Sequence, residues 1–361
     1  MNKKNVDFET LKTNLKYRLF YIMFVDLFNP TIYEGPLDDY IGNMKLSFGL
    51  IEKLSEENYD QYFPIISGPM EAQIKDYQKF CIPKKPIEEI GKFYYDNEEI
   101  FFSEEGKFNG AIEFKHIKDF FNSKNFLPQG LPDHALIGIK DNASAFFIEE
   151  NFVLDDAFYF LGSAEKLVEF YSNKFGDSEV KWKNQDTQNI KNNICSNSRA
   201  AIQIFNNFVE CFLNSIGYDY FSRNKDSLTS EQESILLKGK RPHRNYLSLK
   251  RKIVKVLDIV CSDESLKLRW NRDYPMSEPY TSFFEFTRQL RILLVHPGPV
   301  RQGMFQSPAE WYKKALGCGK ICMEVSQDLW TRCYPEREFP EYLGFLDFDK
   351  NLKNAYKRVE I

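Results

Sequence analysis

Arg291 and His296 have the clearest chemical potential in this chain, written Arg291-Ile-Leu-Leu-Val-His296 near the end of an apolar segment that begins about Phe283. An arginine presents a planar fork that grips phosphate. A histidine five residues later can move a proton near neutral pH. Together they offer the two operations that cleave a ribose–phosphate backbone without metal. Spacing alone is not specific in a chain with 14 Arg and 4 His, so the helix around the pair must support the argument.

Winding residues 283–296 at about 100° per residue separates two faces. Phe283, Phe286, Leu290, Leu293 and Leu294 form one, a stripe suited to a domain core. The other holds Arg288, Arg291 and His296 together with Phe284, Ile292 and Val295. A helix apolar on both sides is usually buried on both, so the second face is expected to meet a partner. The plainer alternative pairs Arg288 with Glu285 and leaves His296 as an ordinary helix-end residue. Pro297-Gly298-Pro299 ends the helix, and the negative end of the helix dipole there favours a protonated His296.

A second basic feature runs from Lys238 to Lys255 and includes Lys240, Arg241, Arg244, Lys250, Arg251 and Lys252 with no acidic residue. It reads either as a solvated helix face or as a track for phosphates. Charge is unevenly divided along the chain. Residues 1–190 hold 21 Lys+Arg against 32 Asp+Glu, a net of −11, and residues 191–361 hold 27 against 20, a net of +7. Arg18 is the only arginine before Arg199. Two units with different partners are expected, the basic one suited to polyanions.

The seven cysteines are scattered without a C-x-x-C pair, which points to buried free thiols and away from a disulfide or zinc framework. No metal or cofactor is expected. The apolar run Leu19–Val25 is too short to span a bilayer. With Asp7 and Glu9 before it, it also lacks the basic start of a signal peptide. A buried helix, no membrane association and a cytoplasmic protein follow.

Periodicity and turn signals divide the chain. Residues 7–28, 43–57 and 71–80 read as helices, 92–102 as a hairpin around Asp96-Asn97, and 135–149 as a second hairpin around Asp141-Asn142. Residues 157–161 suggest another strand and 163–175 a helix. The expectation for 1–175 is therefore an α+β domain without recognisable catalytic machinery, in which His116 and His134 are isolated. A polar linker is expected over 176–196. Beyond it, Ser198 caps a helix to Ile216 that Gly217 stops, and 245–261 forms another. Residues 280–296 make a third, and Ser307-Pro308-Ala309-Glu310 opens a fourth as a capping box. An all-α bundle over 197–335 follows, with 336–361 as a C-terminal extension.

Those helices resemble the HEPN family of nucleotide-binding helical domains. The resemblance lies in Ala201-Ile-Gln-Ile-Phe-Asn-Asn-Phe-Val-Glu210-Cys-Phe-Leu-Asn214, in the basic amphipathic Tyr246–Leu257, and in Arg291-x4-His296. It covers about residues 190–335 and leaves the first half unassigned. It implies a homodimeric, metal-independent endoribonuclease of the kind found in toxin–antitoxin and antiphage systems. In such an enzyme the signature helices of two protomers meet at one RNA-binding cleft. Arg291 would stabilise the phosphate and His296 would transfer protons, with Arg288, Arg244, Lys250 and Arg251 holding RNA. The acidic half is expected to sense or regulate and not to catalyse, its negative charge shielding the basic half before activation, and an antitoxin or sensor is expected as a further partner. Active members usually place a polar residue after the arginine, where this chain has Ile292. That departure implies a weakened site, or the non-catalytic dimerisation or nucleic-acid/nucleotide-binding role of other members.

Overall fold

The computed structural model describes residues 7–26, 37–79, 81–98, 111–121, 132, 135–140, 143–175, 185–238, 246–270, 275–295, 306–336 and 347–359. The chain divides into two compact units, Met1–Ile148 and Glu149–Ile361. That boundary corrects the expected division at 175. The cause is a single helix, Glu149–Phe175, whose buried Leu154, Ala157, Phe158 and Leu161 belong to the core of the second unit.

The first unit is mainly helical, with α1 (Phe8–Asp26), α2 (Leu37–Glu52), α3 (Tyr59–Tyr77) and α4 (Ile87–Asp96). Helix α1 packs against the other three. Leu19, Phe20, Tyr21, Ile22, Met23, Phe24 and Val25 are all buried, as expected for a helix that is apolar all round. Phe24 stacks between Tyr94 (4.1 Å) and Phe121 (5.0 Å). Three short strands, β1 (Ala111–Glu113), β2 (Leu136–Lys140) and β3 (Ala143–Phe147), pair antiparallel in that order, with Ile112 opposite Ile137 and Gly138 opposite Ala145.

This architecture overturns the α+β expectation, because helices supply most of the described core of this unit. Residues 92–96 lie in α4 and not in a hairpin strand, and residues 99–102 fall outside the described residues. Pro86 precedes α4, Glu88 and Glu89 occupy its first turn, and Ile90 and Tyr94 are buried one turn apart. The expected strand at 157–161 is likewise helical. Helix α3 starts well before residue 71, accommodating Pro64 and Pro69 inside it.

The second unit is all-α. Around α6 (Gln185–Asn224) pack α5 (Glu149–Phe175), α7 (Ser230–Lys238), α8 (Leu249–Val260), α10 (Arg288–Val295) and α11 (Pro308–Cys333). One turn, α9 (Tyr280–Ser282), precedes α10, and α12 (Phe348–Arg358) lies on α5. Residues 185–196 are thus helix and not linker, while 176–184 lie outside the described residues. Ser198 is buried inside α6 and caps nothing, its hydroxyl without a hydrogen-bond partner. Nor does Gly217 end the helix. Its missing side chain admits the Leu236 carbonyl, which a Cβ would meet at 3.0 Å. The C-terminal segment is part of this core through buried Ala355.

The expected capping box at α11 forms. Ser307 Oγ accepts from the Glu310 amide (3.2 Å), and the Glu310 carboxylate accepts from the Ser307 amide (2.8 Å). All seven cysteines are free. Burial pushes the Cys211 thiol up to about 12 and the Cys81 and Cys322 thiols well above their ordinary range. Among the described residues no helix is long and apolar enough to cross a membrane.

Candidate functional site

The basic helix does not run as a uniform α-helix. Residues Phe283–Thr287 form a π-helical turn between α9 and α10. A π-turn adds a residue to the turn and changes the phase of everything after it, and such turns recur at functional sites. The phase change moves Phe284, expected on the partner face, into the core of this unit beside Phe283, and it buries Thr287 fully. Arg288, Arg291 and Ile292 are half-buried and Val295 is 44 % exposed. The second face therefore survives as two arginines and two aliphatic residues, without Phe284.

Asn206 of α6 holds the π-turn from behind. Its side-chain amide donates to the Ile202 carbonyl (2.8 Å) and to the Thr287 carbonyl (3.4 Å). The asparagine is fully buried, and its Oδ1 and the neighbouring Thr287 hydroxyl have no hydrogen-bond partner. One helical turn along α6, Glu210 is half-buried and attracts both Arg288 and Lys252. A further turn along, Asn214 accepts a hydrogen bond from the Lys252 ammonium of α8. The track reading of Lys252 is thereby corrected. It is a buried inter-helix tie, and burial lowers its ammonium's affinity for a proton.

Arg288 has no ion pair with Glu285 among the described residues, and Glu285 is exposed. One guanidinium nitrogen, Nη1, is buried without any hydrogen-bond partner. Burial holds this group below its ordinary value, the charge of Arg291 adds to that, and Glu210 opposes it. Two cations, Lys252 and Arg288, thus share a single carboxylate, and Arg291 adds a like charge beside Arg288. A buried donor left unpaired is costly, and a like-charged neighbour adds repulsion. Both costs fall when an anion approaches.

Lys250 sits between two rings, its ammonium 4.6 Å from the centre of Trp270 and 5.3 Å from that of Phe284. Arg251 points to solvent. Lys255 pairs with Asp258 at 2.9 Å and so belongs to the helix surface. Arg244, His134 and His296 lie outside the described residues, as does the Pro297-Gly298-Pro299 stop. His116 gives its backbone carbonyl to the Tyr94 hydroxyl (2.6 Å) and has a structural place. Neither Trp270 nor a specific role for Asn206 follows from the expected pattern. A tryptophan directly after Lys267-Leu-Arg269 is the sequence signal for the first. Nothing local marked the second, whose partner lies 81 positions away.

No known protein family, curated protein or solved structure matches this chain.

Proposed function

We propose that the second unit is a HEPN-type, metal-independent endoribonuclease of the cytoplasm, working as a homodimer through the helix that carries Arg288 and Arg291. The observation behind this reading is Arg288, half-buried beside Arg291 with one nitrogen buried and unpaired. Arg291 stabilises charge on the scissile phosphate, and Arg288 deepens the positive field. His296, following this helix in the sequence, exchanges protons with the 2′-hydroxyl or the leaving oxygen. Ile292 and Val295 provide the apolar part of a twofold contact, in which each residue approaches its own symmetry mate. The acidic first unit serves as a sensor or as the docking partner of an antitoxin, in a toxin or antiphage role.

Ile292 favours a second reading, in which the same helix dimerises and binds nucleotide or nucleic acid without cutting it. It stands four residues before His296, at a position where a polar side chain could orient the imidazole. One experiment separates the two. Wild-type, His296→Ala and Arg291→Ala proteins are incubated with total cellular RNA in EDTA. The nuclease reading expects RNA fragments ending in 2′,3′-cyclic phosphate, no attack on DNA, and a rate loss of at least about a hundredfold in either variant. RNA left intact by wild type leaves only the binding module, and RNA cut equally by His296→Ala rules out the proposed mechanism.

A further inference from the structure

Beside the arginine pair, the start of α8 and the connector after it combine exposed rings with unpaired cations. Trp270 is 36 % exposed although Lys250 covers part of its ring, and Tyr246, three residues before α8, is 75 % exposed. Lys250, Arg251 and Arg269 have no carboxylate partner among the described residues. Among the described residues, Asp258 is engaged with Lys255 and Glu264 with Lys267. Uncompensated positive charge repels itself and draws polyanions. An exposed indole adds a demand for a flat partner, since large aromatic surface left in water is unfavourable.

We infer that Trp270, with Lys250, Arg251 and Arg269 around it, is a base-stacking platform for single-stranded nucleic acid. The chemistry selects one occupant. An acidic peptide would satisfy the cations but leave the indole without a flat partner, whereas a duplex would satisfy the charges but keep its base faces hidden. A single strand offers both groups, a base for the ring and phosphates for the cations. Lys250 links the platform to the arginine pair, because its second ring, Phe284, belongs to the π-turn that leads into Arg288. A strand stacked on Trp270 thus lies close to the turn that leads into Arg288 and Arg291.

The inference deepens the nuclease reading by naming the form of nucleic acid, but it does not require cleavage. The test is fluorescence anisotropy of the full-length protein with labelled oligo(dT), which lacks the 2′-hydroxyl and stays intact. W270A should weaken binding about 5- to 150-fold, the loss of one stacked base, and W270F should stay within about threefold of wild type. R251Q and R269Q, both at exposed positions, should each flatten the salt dependence of binding by about one phosphate contact. Unlabelled duplex of the same sequence should compete at least tenfold less well than the single strand. Equal binding by W270A and wild type would overturn the platform. So would equal competition by duplex or by polyglutamate, the latter indicating an acidic protein partner. Should W270A prove misfolded by circular dichroism, the two arginine variants and the competition series decide the matter. Intact binding without any RNA cleavage sinks the nuclease alone, and cleavage with W270A-insensitive binding sinks the platform alone.

Discussion

Asp26, the last residue of α1, is 3 % exposed and accepts hydrogen bonds from the Tyr40 hydroxyl (2.9 Å) and from the Tyr77 hydroxyl. Burial raises its carboxyl from 3.8 to about 7, and the two tyrosines only partly offset that. Cys81 and Tyr21 lie in the same core, and burial keeps their thiol and hydroxyl protonated far above neutrality. The unfolded chain releases the Asp26 proton near 3.8 and the folded chain near 7. Between those values the folded state binds more protons, so stability is full below pH 3.8 and falls until about pH 7. Each pH unit is worth about 1.4 kcal/mol, and raising the pH from 5 to 8 should therefore cost the first unit about 3 kcal/mol through this group. Asp26→Asn keeps an acceptor and a polar partner for the tyrosines but cannot ionise. Its stability relative to wild type should consequently rise by about 3 kcal/mol over the same change in pH, with other titrating groups cancelling in the comparison. Urea unfolding followed by far-UV circular dichroism measures it. Trp182, Trp270, Trp311 and Trp330 all lie beyond residue 148, so tryptophan fluorescence reports the second unit separately. A wild-type-to-Asn difference that is the same at pH 5 and pH 8, within about 0.5 kcal/mol, would refute the reasoning.

Gly91→Ala should destabilise the first unit by about 3 kcal/mol or more, because a Cβ there would lie 1.8 Å from the Tyr17 carbonyl oxygen of buried α1. A thermal melt showing no loss would mean that the helices separate at little cost. Asn206→Leu removes the amide that binds the Thr287 carbonyl and should cost about 1–3 kcal/mol. It should also change the environment of Arg288 and Arg291, seen as weakened oligo(dT) binding at temperatures where the protein is still folded. Ser307→Ala deletes the side-chain half of the α11 capping box and should cost about 1 kcal/mol in urea unfolding, with nucleic-acid binding unchanged.

What the sequence determined by itself is what residues within about one helical turn decide among themselves. Ser307-Pro308-Ala309-Glu310 specifies a helix start because the capping serine and the glutamate lie three residues apart. The apolar run Leu19–Val25 specifies burial on every side of α1, and the placing of Arg288 and Arg291 on one helix follows from a spacing of three. Tertiary contacts decided the rest, often against the local signal. Ser198 and Gly217 carry the marks of a helix start and stop, yet the continuous buried stripe from Ile194 through Phe205 and Phe212 to Ile216 keeps α6 unbroken. Asp96-Asn97 resembles a hairpin turn, yet Ile90 and Tyr94 gain more by packing one turn apart on α1. The π-turn, which rotates Phe284 and Thr287 inward, is fastened by Asn206 from 81 residues away, and Lys252 is tied to α6 by Asn214 from 38 residues away. The polar face of the basic helix is therefore set by where α6 packs on it, because burial and the pairing of polar groups are settled only when distant segments meet.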